Sequence, residues 1–346
     1  MRVFKSFLFA FTLALIISGI WFYSQFSAPQ KMIEKERFVV KLDVPEEQVI
    51  DELKEKEFIK NKAVFRFTLG LVCWQERTCS KTLVSPQGKV QSRIKPGAYL
   101  ISKSMNAYEL AKKLLEGPYQ KWVIIPPGKR KEQVALILLK ALGWQYSVAR
   151  DFVNIAQEGY LYPDTYLIDI DADPQQVWQK LFSNFNEKFD AQLQRDLLAQ
   201  NIRNDTAIKI ASLIERESGG DEDKPIISAI IWNRLQKKMK LEIDATVQYA
   251  KVIQNSKFKV QNFGEIDEWW PRVAPGDLRA IESPYNTYLN KGLPPGPICS
   301  PSLTSIKAVA YPAQTDALYY LHSPDKQIHT ARTYQEHEQN IKKYLQ

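Results

Sequence analysis

The 346-residue chain has only three cysteines and three histidines. His322, His329 and His337 all lie near the C-terminus, and the C-x5-C spacing of Cys73 and Cys79 is not a zinc spacing. Metal chemistry therefore has little to work with, and no metal or other cofactor is expected. No G-x-S-x-G occurs anywhere, so the nucleophile elbow of serine hydrolases is missing. Internal repeats and low-complexity tracts are also missing, and the composition excludes a disordered polar chain or a collagen-like repeat. Lys and Arg exceed Asp and Glu by 47 to 39, a net charge of +8. The tightest basic clusters, Lys129-Arg130-Lys131 and Lys237-Lys238 with Lys240, are too short for a phosphate-binding stripe. Nucleic acid is thus not an expected partner, and an anionic polymer outside the cytoplasm suits the charge better.

Hydrophobic residues make up 45% of the chain, enough for a sizeable core without staples. One run stands out. Phe7 to Tyr23 is almost unbroken apolar, preceded by Arg2 and Lys5 and ending in Trp21-Phe22-Tyr23. Its length and flanking charge predict a single transmembrane helix, with a short cytoplasmic tail and the rest of the chain exported. A cleaved signal peptide is the competing reading, but no small residues stand at suitable −3 and −1 positions. In an oxidising compartment Cys73 and Cys79 are close enough in sequence for a local bridge, leaving Cys299 over.

The fold class expected is α+β in three parts: a transmembrane anchor over 1–26, a small module over 37–118 and a larger domain over 121–346. In the module, Arg37–Val44, Ala63–Trp74 and Ser92–Ile101 read as strands. Pro45–Lys60 and Asn106–Glu116 read as helices, the last stopped by Gly117-Pro118. In the larger domain, Trp122–Ile125 is a strand. Helices are expected over Lys131–Leu142, Pro174–Phe185, Phe189–Leu198, Asp205–Glu217 and Pro225–Met239, with looser chain from Leu241 onward.

The helix from Asp205 carries the first chemical signal. Ile210, Leu213 and Ile214 form an apolar stripe, and its continuation at i+7 falls on Glu217, next to the break Ser218-Gly219-Gly220. Burial and the negative end of the helix dipole both raise a carboxyl's pKa there. A carboxylic acid kept protonated near neutrality suits protonation of a glycosidic leaving oxygen. A helix end frayed into solvent is the plainer alternative. Asp244-Ala-Thr-Val-Gln-Tyr249 and Ser283-Pro-Tyr-Asn-Thr-Tyr288, followed by Gly292-Leu-Pro-Pro-Gly296, mix amides, hydroxyls, carboxylates and rings as sugar-binding clefts do.

These segments, with Lys95-Pro-Gly-Ala-Tyr99, Glu158-Gly-Tyr-Leu-Tyr-Pro-Asp-Thr-Tyr166, Ile210-Ala-Ser-Leu-Ile-Glu-Arg-Glu-Ser218 and Asn233-Arg-Leu235, occur in an order that resembles the endolytic murein transglycosylases of the MltG/YceG type over nearly the whole chain. The sequence departs from the family pattern at Ala245, Tyr311-Pro-Ala313 and Gln327-Ile-His-Thr330. The resemblance implies a LysM-like module before a catalytic domain and non-hydrolytic cleavage of peptidoglycan between MurNAc and GlcNAc, leaving 1,6-anhydro ends. It places the catalytic acid on Glu217, the second Glu of E-x-E, and implies a peptidoglycan synthase complex as partner. Ser218, Tyr162, Asp164, Asp244, Thr246, Gln248, Tyr249, Tyr285, Asn286, Thr287 and Tyr288 are the expected substrate-binding residues. A muramidase-like hydrolase, with Asp164 or Asp244 as second carboxylate, and a non-enzymatic wall-binding scaffold are the alternatives.

Overall fold

The computed structural model describes residues 2–31, 34–76, 92–254 and 268–345. By its contacts the chain divides into one unit of Met1–Trp122 with Leu167–Ile170, and a second of Val123–Tyr166 with Asp171–Gln346.

The first unit opens with helix α1 (Arg2–Phe26), then strand β1 (Glu36–Val40), helices α2 (Glu46–Glu55) and α3 (Lys62–Glu76), strand β2 (Gly97–Ile101) and helix α4 (Ala107–Glu116). Strand β3 (Gln120–Ile124) follows. β1 and β2 pair antiparallel, Phe38 opposite Tyr99, and Ala98 of β2 stands opposite Gln120 of β3. Phe38, Ile50, Leu53, Leu69, Tyr99 and Leu110 fill the core. Helix α4 begins with a reciprocal cap: Glu109 N–H donates to the Asn106 side chain, and Asn106 N–H to the Glu109 carboxylate.

Two expectations fail in this unit. Ala63–Trp74 is not a strand but most of α3. Val64, Phe65, Thr68, Leu69, Val72 and Cys73 are its buried residues, pairs repeating every fourth position, which is helical and not alternating spacing. Exposed Phe67, Leu71 and Trp74 fill in the other face and hide that period in the sequence. The transmembrane anchor is not upheld either. The Phe7–Tyr23 run is helical, within α1, but among the described residues no helix is long and apolar enough to cross a membrane. Trp21, Phe22 and Tyr23 at its aromatic end are exposed, and protein contacts begin at Phe22 and just beyond it. Phe22 meets Phe67 edge-on at 6.4 Å, and Lys60 Nζ donates to Ser24 O at 3.0 Å and Ser27 Oγ at 2.8 Å. Cys73 is disulfide-bonded, and Cys79, its expected partner, lies outside the described residues.

Strand β4 (Thr165–Asp169), whose Leu167–Asp169 belong to the first unit, completes a sheet of order β1-β2-β3-β4; the second unit carries α5 (Lys131–Leu142) and α6 (Tyr146–Ile155). Helices α7 (Pro174–Lys188), α8 (Ala191–Ala199), α9 (Asn204–Glu217), α10 (Lys224–Gln236) and α11 (Asp244–Gln254) follow. After them come α12 (Asp277–Ala280), α13 (Leu303–Ala310), a hairpin of β5 (Tyr319–His322) and β6 (Ile328–Ala331), and α14 (Tyr334–Tyr344). The stretch read as loose chain after Leu241 therefore begins with a helix.

Helix α9 is central. Ile210, Leu213 and Ile214 are fully buried, in a cluster with Leu197, Ile227, Ile231, Ile306 and Val309 from α8, α10 and α13. Each such side chain contributes roughly 1.5–3 kcal/mol, so the position of the α9 C-terminus is firmly set. Gly159 (φ +89°) passes close under this helix: a Cβ there would lie 2.9 Å from Ile208 Cγ2 and 2.6 Å from Pro297 Cγ. Only glycine fits that approach without displacing a neighbour.

Candidate active site

Glu217 is the last residue of α9, half-buried, and Ser218 caps the helix in extended conformation. Its carboxyl is met from two other elements. Tyr320 of β5 donates its hydroxyl to Glu217 Oε2 at 2.6 Å. At the N-terminus of α11, the Ala245 N–H donates to the same carboxyl. That amide is one of the four N–H groups a helix start leaves without an intrahelical partner. Burial raises the Glu217 pKa most and the neighbouring Asp244 charge raises it too. The Tyr320 and Ala245 hydrogen bonds and the Arg216 charge pull the other way, and the net shift is upward. The stripe argument on α9 thus reaches a carboxyl that is desolvated and held, not frayed into solvent.

Asp244 opens α11 and accepts the Tyr288 hydroxyl at 2.7 Å. Tyr288 is half-buried, and its pKa is raised by burial, by the bond to Asp244 and by the charges of Asp244 and Glu217. Glu217, Asp244, Tyr288 and Tyr320 therefore form one electrostatic cluster drawn from α9, α11, the 283–290 loop and β5.

A cavity of about 510 Å³ adjoins it, with Ser218, Gly219, Tyr162, Pro127 and Lys224 in its wall. The Glu217 carboxyl does not line that space; it is directed to Tyr320 and the first turn of α11. Glu215 does line it, but its Oε2 is already engaged. It accepts from Ser302 N at 2.9 Å, Ser302 Oγ at 2.6 Å and Ser305 Oγ at 2.6 Å, with Lys224 Nζ at 3.5 Å. It caps α13 from outside. Of the two glutamates in E-x-E, Glu215 anchors a helix, while the Glu217 carboxyl meets Tyr320 and the first turn of α11.

Replacement of Glu215 by Ala is expected to leave the buried Lys224 ammonium and the first turn of α13 short of a partner. The cost is roughly 2–3 kcal/mol, the low side for a broken buried pair because Asp221 also holds Lys224, at 2.7 Å. Urea unfolding checks it, and an unchanged midpoint would refute the capping role.

The other expected residues divide clearly. Ser218 and Tyr162 reach the cavity. Gln248 stands half-exposed one helical turn beyond Asp244. Asp164 is exposed and accepts from Thr165 N at 2.7 Å and Asn184 Nδ2 at 2.9 Å, bracing its loop. Thr246 and Thr287 are buried and share a hydroxyl contact of 2.9 Å. Asn286, also buried, gives its amide to Leu278 O and Ile281 O. The Thr246–Thr287 contact holds the 283–290 loop on α11, and Asn286 ties it to α12. Tyr249 is 7% exposed and packs on Tyr285 with ring centroids 4.7 Å apart, while the Arg130 guanidinium lies 4.2 Å from its ring centroid. Tyr320, Lys224 and Arg130 were not anticipated. Tyr320 had a faint signal: in Tyr319-Tyr-Leu-His322, Tyr320 and His322 alternate onto one strand face.

Cys299 is free and buried, its Sγ 3.4 Å from Ser212 O, and burial pushes its thiol well up. Among the described residues no group of His, Cys, Asp and Glu could hold a metal ion.

A model of the YceG-like family matches residues 38–343. The chain belongs to the YceG-like family. It is 26% identical to an endolytic murein transglycosylase of Bacillus subtilis (strain 168), over 96% of this chain and 91% of that protein. To an endolytic murein transglycosylase of Streptococcus pneumoniae serotype 2 (strain D39) it is 24% identical, over 73% of this chain and 51% of that protein. Among solved structures it is similar to the yceG-like protein lmo1499 from Listeria monocytogenes. The TM-score is 0.56 at 25% identity, over 89% of this chain and 99% of the other. Neither the family description nor these names support the LysM-like label for the first unit, a synthase partner or membrane attachment. Within the family match lie all four members of the Glu217 cluster.

Proposed function

We infer that the chain is an endolytic peptidoglycan lytic transglycosylase that cleaves the MurNAc-β-1,4-GlcNAc bond within glycan strands and leaves 1,6-anhydro-MurNAc ends. The observation that carries the reading is Glu217: a desolvated carboxyl with a raised pKa, beside a cavity, in a chain of the YceG-like family.

One such group suffices. Protonated Glu217 gives its proton to the glycosidic oxygen as the bond to the MurNAc anomeric carbon breaks. The MurNAc 6-hydroxyl oxygen forms the new bond to that carbon, and the Glu217 carboxylate takes its proton. The acid is restored and no water is consumed. Burial and Asp244 favour the protonated form needed first; Tyr320 and the Ala245 amide stabilise the carboxylate that follows. Ser218 and Tyr162, in the cavity wall, and Gln248 are the residues assigned to sugar contact in this reading. The nascent or mature wall is the site of action. A disulfide at Cys73 supports an oxidising compartment for it.

Asp244 gives the hydrolase reading its one structural argument, since a two-carboxylate mechanism needs a second acid group near Glu217. Its tie to Tyr288 favours an electrostatic role instead. Digestion of purified sacculi followed by mass spectrometry of the fragments decides between them. Anhydro-ended fragments are expected. Reducing MurNAc ends formed by water addition would establish the hydrolase, and no cleavage would leave a wall-binding scaffold.

A further inference from the structure

We propose that Tyr320 is a positioning residue for the reaction: its hydroxyl fixes Glu217 Oε2 as the accepting oxygen, so that the transferable proton sits on Oε1. The inference rests on the reading of Glu217 as the acid and adds a second, separately testable residue to it.

The geometry is specific. A 2.6 Å bond from a phenol to a carboxyl oxygen is short and charge-assisted once the acid has lost its proton. The donor is itself deeply held. Burial pushes the Tyr320 hydroxyl well above its ordinary value, and the Glu217 charge pushes it further, so it stays a donor across the working range. The strand that carries it has a second grip on the same stretch of chain. Two residues on, and so on the same strand face, His322 Nε2 lies 3.0 Å from Asp223 Oδ2, which also accepts the Gly219 N–H at 3.0 Å. The Tyr320 and His322 rings meet edge-on at 6.0 Å. β5 therefore splints both the acid and the segment that follows it, and neither Tyr320 nor His322 belongs to α9.

A protonated carboxyl has two oxygens that could carry the proton. An O–H donor on Oε2 makes that oxygen the acceptor and leaves Oε1 as the acid. After transfer, the same hydrogen bond stabilises the carboxylate until the 6-hydroxyl proton arrives. The groups facing Glu217 are Tyr320 from β5, Asp244 and the Ala245 amide from α11 and Arg216 on α9. Tyr288, through Asp244, and Arg234 of α10, through Tyr320, complete the set.

Tyr320→Phe in the full chain removes one oxygen and keeps the ring. Release of anhydro-ended fragments from uncross-linked glycan strands is measured across pH, with the apparent KM and thermal unfolding alongside. The alkaline limb reports deprotonation of the acid. Loss of a donor to the carboxylate raises that pKa, so the limb is expected to move up by about one pH unit. The maximal rate is expected to fall about tenfold or more, with KM little changed. A rate that falls with the limb unmoved would reduce Tyr320 to a packing residue and overturn the proposal; so would an unchanged rate. Glu217→Gln run in parallel separates the two readings. If that variant stays active the acid is elsewhere, whatever Tyr320→Phe does.

Discussion

Glu217→Gln should abolish anhydro-muropeptide release, by about a thousandfold or more, while leaving the fold intact or slightly stabilised. General acid–base groups contribute roughly 10²–10⁴ in rate, and here one group serves as both acid and base. The amide preserves shape and acceptor: the Tyr320 hydroxyl and the Ala245 N–H both retain an oxygen to bond. What disappears is the proton. It also removes a desolvated carboxyl, an unfavourable group to bury, so thermal unfolding should move upward or stay in place. Activity and stability would then change in opposite senses, which is the mark of a residue kept for chemistry. Fragment analysis of digested sacculi gives the first number and calorimetry the second. Undiminished cleavage by the variant would sink both the site assignment and the single-acid mechanism.

The same residue shows how far the sequence reaches. The apolar stripe on α9 was legible because Ile210, Leu213 and Ile214 recur at helical spacing, and its extension to Glu217 needed no other information. What surrounds Glu217 was not legible, because it comes from remote positions. Tyr320 is 103 residues away, and its partner could not be read from local period. Asp244-Ala-Thr-Val-Gln-Tyr249 looked like a ligand-binding loop since it mixes polar groups with a ring. Yet the Thr246 hydroxyl is buried against Ile243 O and Thr287, and Tyr249 is core. Polar side chains that brace a loop and polar side chains that bind a sugar have the same composition. Only their direction tells them apart. Helix α3 was hidden for a different reason: apolar residues on both its buried and exposed faces erase the contrast that a period needs. The Phe7–Tyr23 run gave length and polarity but no hint that Phe22 would meet Phe67, or that Lys60 would donate to Ser24 O just beyond it.

The largest stability effect should come from Glu158, at the head of Glu158-Gly-Tyr-Leu-Tyr162. Its carboxyl is buried beside Glu132, Arg130 and Lys131. Burial, then the Glu132 charge, push it up to about 8, against the opposing pull of Arg130 and Lys131. Oε2 accepts the Lys131 N–H at 3.3 Å, and Oε1 has no hydrogen-bond partner. In the unfolded chain the group titrates near its ordinary value of 4.5. Between these two values the folded state holds the proton and the unfolded state does not, so stability must fall as pH rises through that window and level off above it. The slope for one proton is about 1.4 kcal/mol per pH unit.

Glu158→Gln removes this term. The amide keeps the size and can still accept from Lys131, so at pH 5 the variant and the parent should unfold at similar urea concentrations. At pH 9 the variant should be the more stable by several kcal/mol, with Tyr249, Arg130 and the aromatic packing around them unchanged. Glu217, whose pKa is also raised, contributes a slope of the same sign in both proteins and cancels from the difference. Parallel unfolding curves at pH 5 and pH 9 would show that Glu158 stays ionised in the fold, paired with Arg130. A variant less stable at pH 9 would show that its charge, not its proton, holds the Arg130 side chain in the core.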